Sequence, residues 1–280
     1  MSEITDQSLD HLSLAAARLG FVAARPRAVA VTCVVALTAL GWLYIGIVQG
    51  ERGNLFAALC EPLSGAGTIE PGGTILALAM WCAMVLAMML PSAAPMILTY
   101  AEIADTAARK HAPVVSPFVL TAGYAAVWFG FALAATAFQI VLARAPLLDV
   151  AAPAGWLVSG ALFVAAGLYQ FSTLKQACLR QCRSPFPFFF TNWATTTRGV
   201  FRLGIKQGLY CLGCCWAAML LMLALGAMNV LWMTILAVVM TLEKLVSGTR
   251  FSYAIGAVFI VIGLVFVVSA FAPIWLGRFI

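Results

Sequence analysis

Long apolar runs recur along the whole chain, and they restrict its possible folds more than any other feature of the sequence. A helix needs roughly 20 residues to cross a bilayer. Runs of suitable length occupy residues 27–48, 74–99, 117–143, 154–173, 204–227, 230–246 and 252–272. They are continuous and not alternating, and backbone in hydrocarbon must satisfy its own hydrogen bonds, which favours helices. The sequence therefore predicts an all-α fold, a polytopic transmembrane helix bundle of about seven transmembrane helices.

The composition and the chain start agree with this class. Of the 280 residues, 64% are hydrophobic and 9% are charged, a balance outside the range of soluble proteins. The first residues contain acids and lack a basic n-region, so they do not resemble a cleaved signal peptide. We predict a cytosolic N-terminal tail over residues 1–26 and a single transmembrane helical domain over residues 27–280. The weakest span is 230–246, which would be re-entrant in a six-helix alternative.

The basic residues predict the orientation, because cytosolic loops carry an excess of Lys and Arg. With the N-terminus in the cytosol, all but Arg52, Arg144 and Arg278 fall on the inner side. The thirteen inner residues are Arg18, Arg25, Arg27, Arg109, Lys110, Lys175, Arg180, Arg183, Arg198, Arg202, Lys206, Lys244 and Arg250. The net charge of +6 then predicts anionic lipid at the cytosolic face as a partner, and no nucleic acid. We expect an integral protein of the bacterial inner (cytoplasmic) membrane.

Two prolines interrupt the second span in "MMLPSAAPM". Pro91 and Pro95 each remove a backbone donor and are predicted to kink or unwind the helix near the middle of the membrane. Such a break usually faces protein or a cavity. A packing kink without function is equally compatible with the sequence.

Five of the eight cysteines form two clusters with helical spacing. Cys211, Cys214 and Cys215 stand at i, i+3 and i+4, so they share one helix face, and Cys178 and Cys182 stand at i and i+4. Cys178 and Cys182 follow the inner end of the fourth span, and Cys211 lies roughly 8 Å into the membrane from the same side at 1.5 Å per residue. Both clusters are therefore predicted at a similar depth.

An acidic residue reaches the same level. Glu243 in "MTLEKLVSG" is an ionisable group at the edge of a span, where such groups usually face the bundle interior. Because neighbouring residues on a helix do not face each other, Glu243 and Lys244 are predicted to have separate partners. The candidate metal ligands are Cys178, Cys182, Cys211, Cys214, Cys215 and Glu243.

Methionines extend the pattern as weaker candidates. These are Met88, Met89, Met219 and Met222. Thiolates and thioethers are soft ligands that favour Cu(I), and thiolates also suit zinc. Methionine is equally common as a flexible filler of helix packing.

Four stretches of the chain resemble a known family. "MWCAMVLAMMLPSAAPM", "QFSTLKQACLRQCRSPFPFFF", "GLYCLGCCWAAMLLMLALGAMNVLWM" and "LEKL" are similar to the DUF2182 family of predicted metal-binding integral membrane proteins, some of which are named copper chaperones. The resemblance covers about residues 78–270. It implies a metal-binding role for the five clustered cysteines and Glu243.

These patterns favour a membrane metal-handling protein over an enzyme. The leading hypothesis is a copper chaperone or transporter that binds Cu(I), with zinc as the other possible metal, at the cytosolic side of the fourth and fifth spans. It would require a metal acceptor or a membrane protein partner. The alternatives are a membrane thiol oxidoreductase and an assembly or structural subunit of a larger membrane complex. Hydrolytic chemistry has little support, since His11 and His111 are the two histidines of the chain.

Overall fold

The computed structural model describes residues 26–50, 71–110, 113–144, 153–224, 230–246 and 248–276. All secondary structure in these ranges is helical. The helices are α1 (Pro26–Gly50), α2 (Pro71–Met84), α3 (Leu90–Arg109), α4 (Pro117–Arg144), α5 (Pro153–Gln170), α6 (Thr173–Arg183), α7 (Pro185–Thr191), α8 (Thr197–Ala224), α9 (Val230–Leu245) and α10 (Arg250–Leu276). The all-α prediction is confirmed for the described residues, whereas the predicted tail lies almost wholly outside them.

Several of these helices have the length and composition of membrane spans. Four candidate spans are Thr74–Ala107, Pro117–Val141, Thr197–Met222 and Arg250–Phe271, and α5 with α6, bent by 65°, would make a fifth. Helix α1 contains a shorter apolar stretch, Val31–Ile47. Long apolar helices of this kind are typical of a membrane protein. The count of seven spans and the side of the N-terminus stay predictions.

The helices pack through glycines that let backbones approach closely. A Cβ added at Gly160 or Gly263 would lie 2.8 Å from the carbonyl oxygen of the other residue, and the same pairing recurs between Gly167 and Gly256. These contacts join α5 to α10 in antiparallel directions, because residue numbers rise along one helix as they fall along the other. Small residues at such positions are typical of helix packing in membranes.

A second glycine contact places α4 against α8. A Cβ at Gly123 would lie 2.2 Å from the carbonyl oxygen of Phe201, and a Cβ at Gly204 would lie 2.1 Å from that of Leu120. One turn further, Gly208 lies against the side chain of Val127. The contact of Gly123 with Gly204 is thus followed, toward higher residue numbers on both helices, by that of Val127 with Gly208. Helices α4 and α8 therefore run in the same direction.

A π-helical turn precedes the two prolines of the second span. Residues Val85–Met89 form this turn between α2 and α3, and the helix continues through Pro95 to Arg109. Pro91 has no N–H for the carbonyl four residues earlier, and that carbonyl, of Ala87, instead accepts a hydrogen bond from Trp42 Nε1 at 3.1 Å. The helix is thus adjusted and not broken at the prolines.

Two short helices, α6 and α7, lie between α5 and α8. Ser172 caps α6 by accepting a hydrogen bond from the Lys175 amide at 3.1 Å, which lets α6 begin directly after the 65° bend. After α7, the hydroxyl of Thr196 accepts a hydrogen bond from the Gly199 amide at 3.2 Å. The fifth predicted helix therefore begins at Thr197, earlier than its apolar run at residue 204. Helix α6 packs against α8.

The glycine contact between α4 and α8 leads to a matched pair of variants. Gly123→Ala adds a Cβ that must displace the backbone of α8, since the nearest atom is only 2.2 Å away, and overpacking of this kind costs about 1–3 kcal/mol. Gly130→Ala, on the same helix, adds a Cβ with nothing within 4 Å. Thermal unfolding in detergent should show a lower midpoint for the first variant alone. Equal midpoints would contradict the close approach of α4 and α8.

Candidate metal centre

Three buried sulfur atoms form the centre of the site on α8. Cys211, Cys214 and Cys215 have their Sγ atoms within 4.8 Å of one another, and each residue is only 2–3% exposed. The Sγ atoms of Cys214 and Cys215 are 3.3 Å apart. The spacing of i, i+3 and i+4 explains the shared face. Such an arrangement of soft donors can hold a metal ion.

Helix α6 adds the second cysteine cluster to this face. The Sγ of Cys182 lies 3.9 Å from the Sγ of Cys214. Cys178, one turn earlier, packs against the backbone of Gly213, because its Sγ lies 2.7 Å from the Cβ position that the glycine leaves empty. The structure therefore joins Cys182 to the sulfur cluster and places Cys178 beside the "CLGCC" backbone.

A cation and a phenol contact the first sulfur of the cluster. Lys244 Nζ and Tyr124 Oη each lie 3.2 Å from Cys211 Sγ. Lys244 Nζ also donates to the hydroxyl of Ser92 at 2.6 Å. An ammonium group beside a cysteine stabilises its thiolate. Cys211 therefore has the surroundings of a reactive, metal-binding sulfur.

The same polar contacts reach the π-helical turn. The carbonyl oxygen of Met89 accepts hydrogen bonds from Ser92 Oγ at 2.8 Å and from Tyr124 Oη at 3.2 Å. Lys244, Ser92 and Tyr124 thus connect the sulfur cluster to the end of the turn. The irregular backbone faces protein, since Met88 and Met89 are at most 1% exposed.

Glu243 lies in a separate polar contact. Its Oε2 accepts a hydrogen bond from Lys175 Nζ at 2.8 Å, in an ion pair whose side chains are only 2–3% exposed. Arg183 donates to the carbonyl oxygen of Glu243, at 2.6 Å from one terminal nitrogen, and to that of Gly248 at 2.8 Å. Glu243 Oε1 is buried and has no hydrogen-bond partner among the described residues. Glu243 and Lys244 have separate partners, as the sequence predicts.

The four candidate methionines are all buried. Met88, Met89, Met219 and Met222 are 0–1% exposed, and Met219 and Met222 follow the cysteines on α8 by one to two turns. Burial agrees equally with a ligand role and with packing. Their part in metal binding, and that of Glu243, stays a prediction.

Sequence reasoning missed Tyr124 and Ser92 and did not assign Lys244 to the site. A single tyrosine or serine within an apolar run is no signal of a ligand pocket. Lys244 carried a usable signal, because a lysine at the end of a span must find a buried partner or reach the surface. The cysteine cluster, predicted at the same depth, was a candidate partner for this lysine.

The fold and the site together define a class: an all-helical protein with several long apolar helices and a buried cysteine cluster suited to metal handling. The comparison with protein families makes this specific. The model of the PpoB2 copper chaperone family matches residues 78–266, and the chain belongs to this family. The match confirms the resemblance found in the sequence. Searches of curated proteins and of solved structures found no match.

The buried ion pair predicts a large stability effect. Lys175→Met leaves the Glu243 carboxylate buried and unpaired, which costs about 3–5 kcal/mol, or roughly 10 °C in the unfolding midpoint of a chain of this size. The double variant with Glu243→Leu should recover much of that loss. The matched control is Arg109→Ala, which breaks the ion pair of Arg109 with Asp105. The Arg109 side chain is 78% exposed, so this variant should change the unfolding midpoint little. An unfolding midpoint of Lys175→Met that changes as little as that of Arg109→Ala would contradict the buried ion pair.

Proposed function

We propose that this protein binds Cu(I) through Cys211, Cys214 and Cys215 and acts as a membrane copper chaperone or transporter. The observation that carries the proposal is the group of three buried sulfur atoms within 4.8 Å of one another. All three donors are soft, and soft thiolates suit Cu(I). Membership of a copper chaperone family supports copper over zinc as the cargo.

The spacing of the sulfur atoms fits an ion between them. Metal–sulfur bonds of about 2.3 Å separate the sulfur ligands by roughly 3.8–4.0 Å in tetrahedral or trigonal geometry. The distance from Cys214 to Cys215 is 3.3 Å and that from Cys182 to Cys214 is 3.9 Å. Small rotations of the side chains would therefore suffice to bind a single ion.

Lys244 supplies part of the charge balance of the bound state. Two thiolates and one Cu(I) carry a net negative charge, which is costly in an apolar interior. The Lys244 ammonium at 3.2 Å from Cys211 Sγ neutralises that charge. Lys244 is thus proposed as a fixed counter-ion that favours the thiolate form needed for binding.

We further propose seven membrane passes with the sulfur cluster near the cytosolic side. The antiparallel contact of α5 and α10 places the start of α10 at the end where α5 finishes. Since α8 leads away from that end, α9 has to return along the bundle before α10 begins. The pairing of Glu243, near the end of α9, with Lys175 on α6 supports this return.

The orientation in the membrane rests on the basic residues. Arg180 on α6 is exposed, as are Arg198, Arg202 and Lys206 in the part of α8 that precedes the cysteines, and basic residues at this end of the helices favour the cytosolic face and contact with anionic lipid. The location we propose is the inner membrane of a bacterium. A soluble or membrane-bound acceptor would receive the copper, and the buried methionines of α8 could extend the route of the ion.

A thiol oxidoreductase is the second candidate. The contact between Cys182 and Cys214 at 3.9 Å favours it, because two sulfur atoms on different helices at this distance can form a disulfide after a small movement. Such an activity requires cycling between dithiol and disulfide. It predicts that the isolated protein loses titratable thiols reversibly on oxidation without binding copper.

Metal content tests the proposal directly. Protein purified anaerobically in detergent should contain about one copper per chain, and Cys211→Ser and Cys215→Ser should each lose most of it, because a serine hydroxyl is a poor substitute for the soft thiolate that each variant removes. The control is Cys33→Ser, on α1. Mass spectrometry of metals, beside a titration of free thiols, measures the outcome. A metal-free wild-type protein, or equal loss in all three variants, would refute the proposal.

The counter-ion role of Lys244 yields a separate prediction. Lys244→Met should weaken Cu(I) affinity by about ten-fold or more, equivalent to at least about 1.4 kcal/mol, because the thiolates lose their fixed positive charge. Lys244→Arg should retain most of the affinity. Competition with a chromogenic Cu(I) chelator measures this, with Lys206→Met as the control, since Lys206 is an exposed lysine of α8. Unchanged affinity in Lys244→Met would contradict the proposed role.

A further inference from the structure

The cysteines of the site differ in their exposure. Cys211, Cys214 and Cys215 are only 2–3% exposed, whereas Cys182 is partly exposed. Cys182 also belongs to α6, while the other three belong to α8. The cluster is therefore asymmetric, with three cysteines inside the bundle and a fourth, Cys182, at its border.

The part of α6 that carries Cys182 also carries polar residues. Arg180 and Gln181 are exposed and Arg183 is partly exposed, and such side chains favour contact with water over contact with lipid at this end of the helix. A hydrophilic carrier can approach this part of α6. The apolar outer faces of the long helices offer no comparable route.

Helix α6 is held firmly at this place. The ion pair of Lys175 with Glu243 and the hydrogen bonds of Arg183 attach α6 to the end of α9. On its α8 side, Cys178 fills the space beside Gly213. Cys182 is thus fixed 3.9 Å from Cys214 and needs no movement of the helix to contact an ion bound there.

We propose that Cys182 is the exchange ligand, through which Cu(I) enters from and leaves to the thiol of a hydrophilic carrier, while the three buried cysteines retain the ion. This inference rests on the proposed copper function and assigns different roles to the two helices. The distance of 3.9 Å between Cys182 and Cys214 is short enough for one ion to bind both sulfur atoms, since two bonds of about 2.3 Å would reach across it.

The exchange changes ligands and leaves the oxidation state alone. On entry, the sulfur of Cys182 forms a bond to Cu(I) while the bond between the ion and the carrier sulfur breaks. The proton released by the Cys182 thiol passes to the carrier sulfur, which leaves as a thiol. The ion then passes to the buried cysteines and its bond to Cys182 breaks, and the proton that the Cys215 thiol gives up on binding the ion returns Cys182 to its thiol form. Delivery follows the same steps in reverse.

Transfer kinetics test this assignment on the full chain. Detergent-purified protein is loaded with Cu(I) under anaerobic conditions and mixed with glutathione in the presence of a chromogenic Cu(I) chelator. Cys182→Ser should keep its copper on dialysis, but its rate of copper transfer should fall by at least about ten-fold, because exchange depends on an accessible thiolate. Cys82→Ser, which removes a partly exposed cysteine of α2, should transfer at the wild-type rate.

The outcomes separate this inference from the proposed function. Wild-type protein that holds no copper would overturn the proposed function and this inference together. If the wild-type protein binds copper and Cys182→Ser transfers it at an equal or higher rate, the inference alone would be overturned. Loss of copper from Cys182→Ser as complete as that from Cys211→Ser would also overturn it, because Cys182 would then be a retention ligand.

Alkylation of the wild-type protein gives a second measurement that needs no variant to fold. With copper bound, N-ethylmaleimide should modify Cys182 before Cys211, Cys214 or Cys215, as determined by mass spectrometry of peptides. Modification of the buried cysteines first would contradict the border position of Cys182. Copper transfer from the protein alkylated at Cys182 should be slow, as in Cys182→Ser.

Discussion

The buried ion pair between Lys175 and Glu243 is the interaction on which the arrangement of the site depends. Neither charge has access to water, so each relies on the other to offset its desolvation. The pair joins α6 to the end of α9. Because neighbouring residues on a helix point in different directions, a Glu243 directed toward α6 leaves Lys244 free to reach Cys211. A single contact therefore positions both the helix that carries Cys182 and the cation beside the sulfur cluster.

The close approach of α4 and α8 provides the other half of the site. Gly123 immediately precedes Tyr124, and Gly204 lies two turns before Cys211, so the glycine contact brings the tyrosine hydroxyl to 3.2 Å from the sulfur. The chain contains 23 glycines, and nothing in their spacing indicates which of them meet. Local spacing cannot supply this information, because the contact between Tyr124 and Cys211 joins residues 87 positions apart.

What the sequence does predict follows from the geometry of single helices. The shared face of Cys211, Cys214 and Cys215 depends only on the helical repeat, and the positions of the apolar runs predict a similar depth for Cys178 and Cys182. The contact of Cys182 with Cys214 at 3.9 Å also requires α6 to pack against α8, which a similar depth does not predict. The partner of Glu243 could not be chosen in this way, because several basic residues lie at the same level. Likewise, the apolar pattern locates the fifth span but not its start at Thr197, which depends on a capping hydroxyl outside the apolar run.

Charge balance relates the hydrogen bonding of the cysteines to the proposed cargo. Cys214 donates from its sulfur to the carbonyl oxygen of Cys211 at 3.1 Å, which requires a protonated thiol. With Cys214 neutral, Lys244 and one monovalent ion balance two thiolates, at Cys211 and Cys215. A divalent ion beside the same lysine would be balanced only if Cys214 also gave up its proton and this hydrogen bond. Cys214 is also the sulfur that lies 3.9 Å from Cys182, so the neutral donor of the proposed site is in contact with the cysteine at the border of the cluster. A neutral ligand binds Cu(I) more weakly than a thiolate does, which suits Cys214 to the step of the proposed exchange in which the ion moves between Cys182 and the buried cysteines.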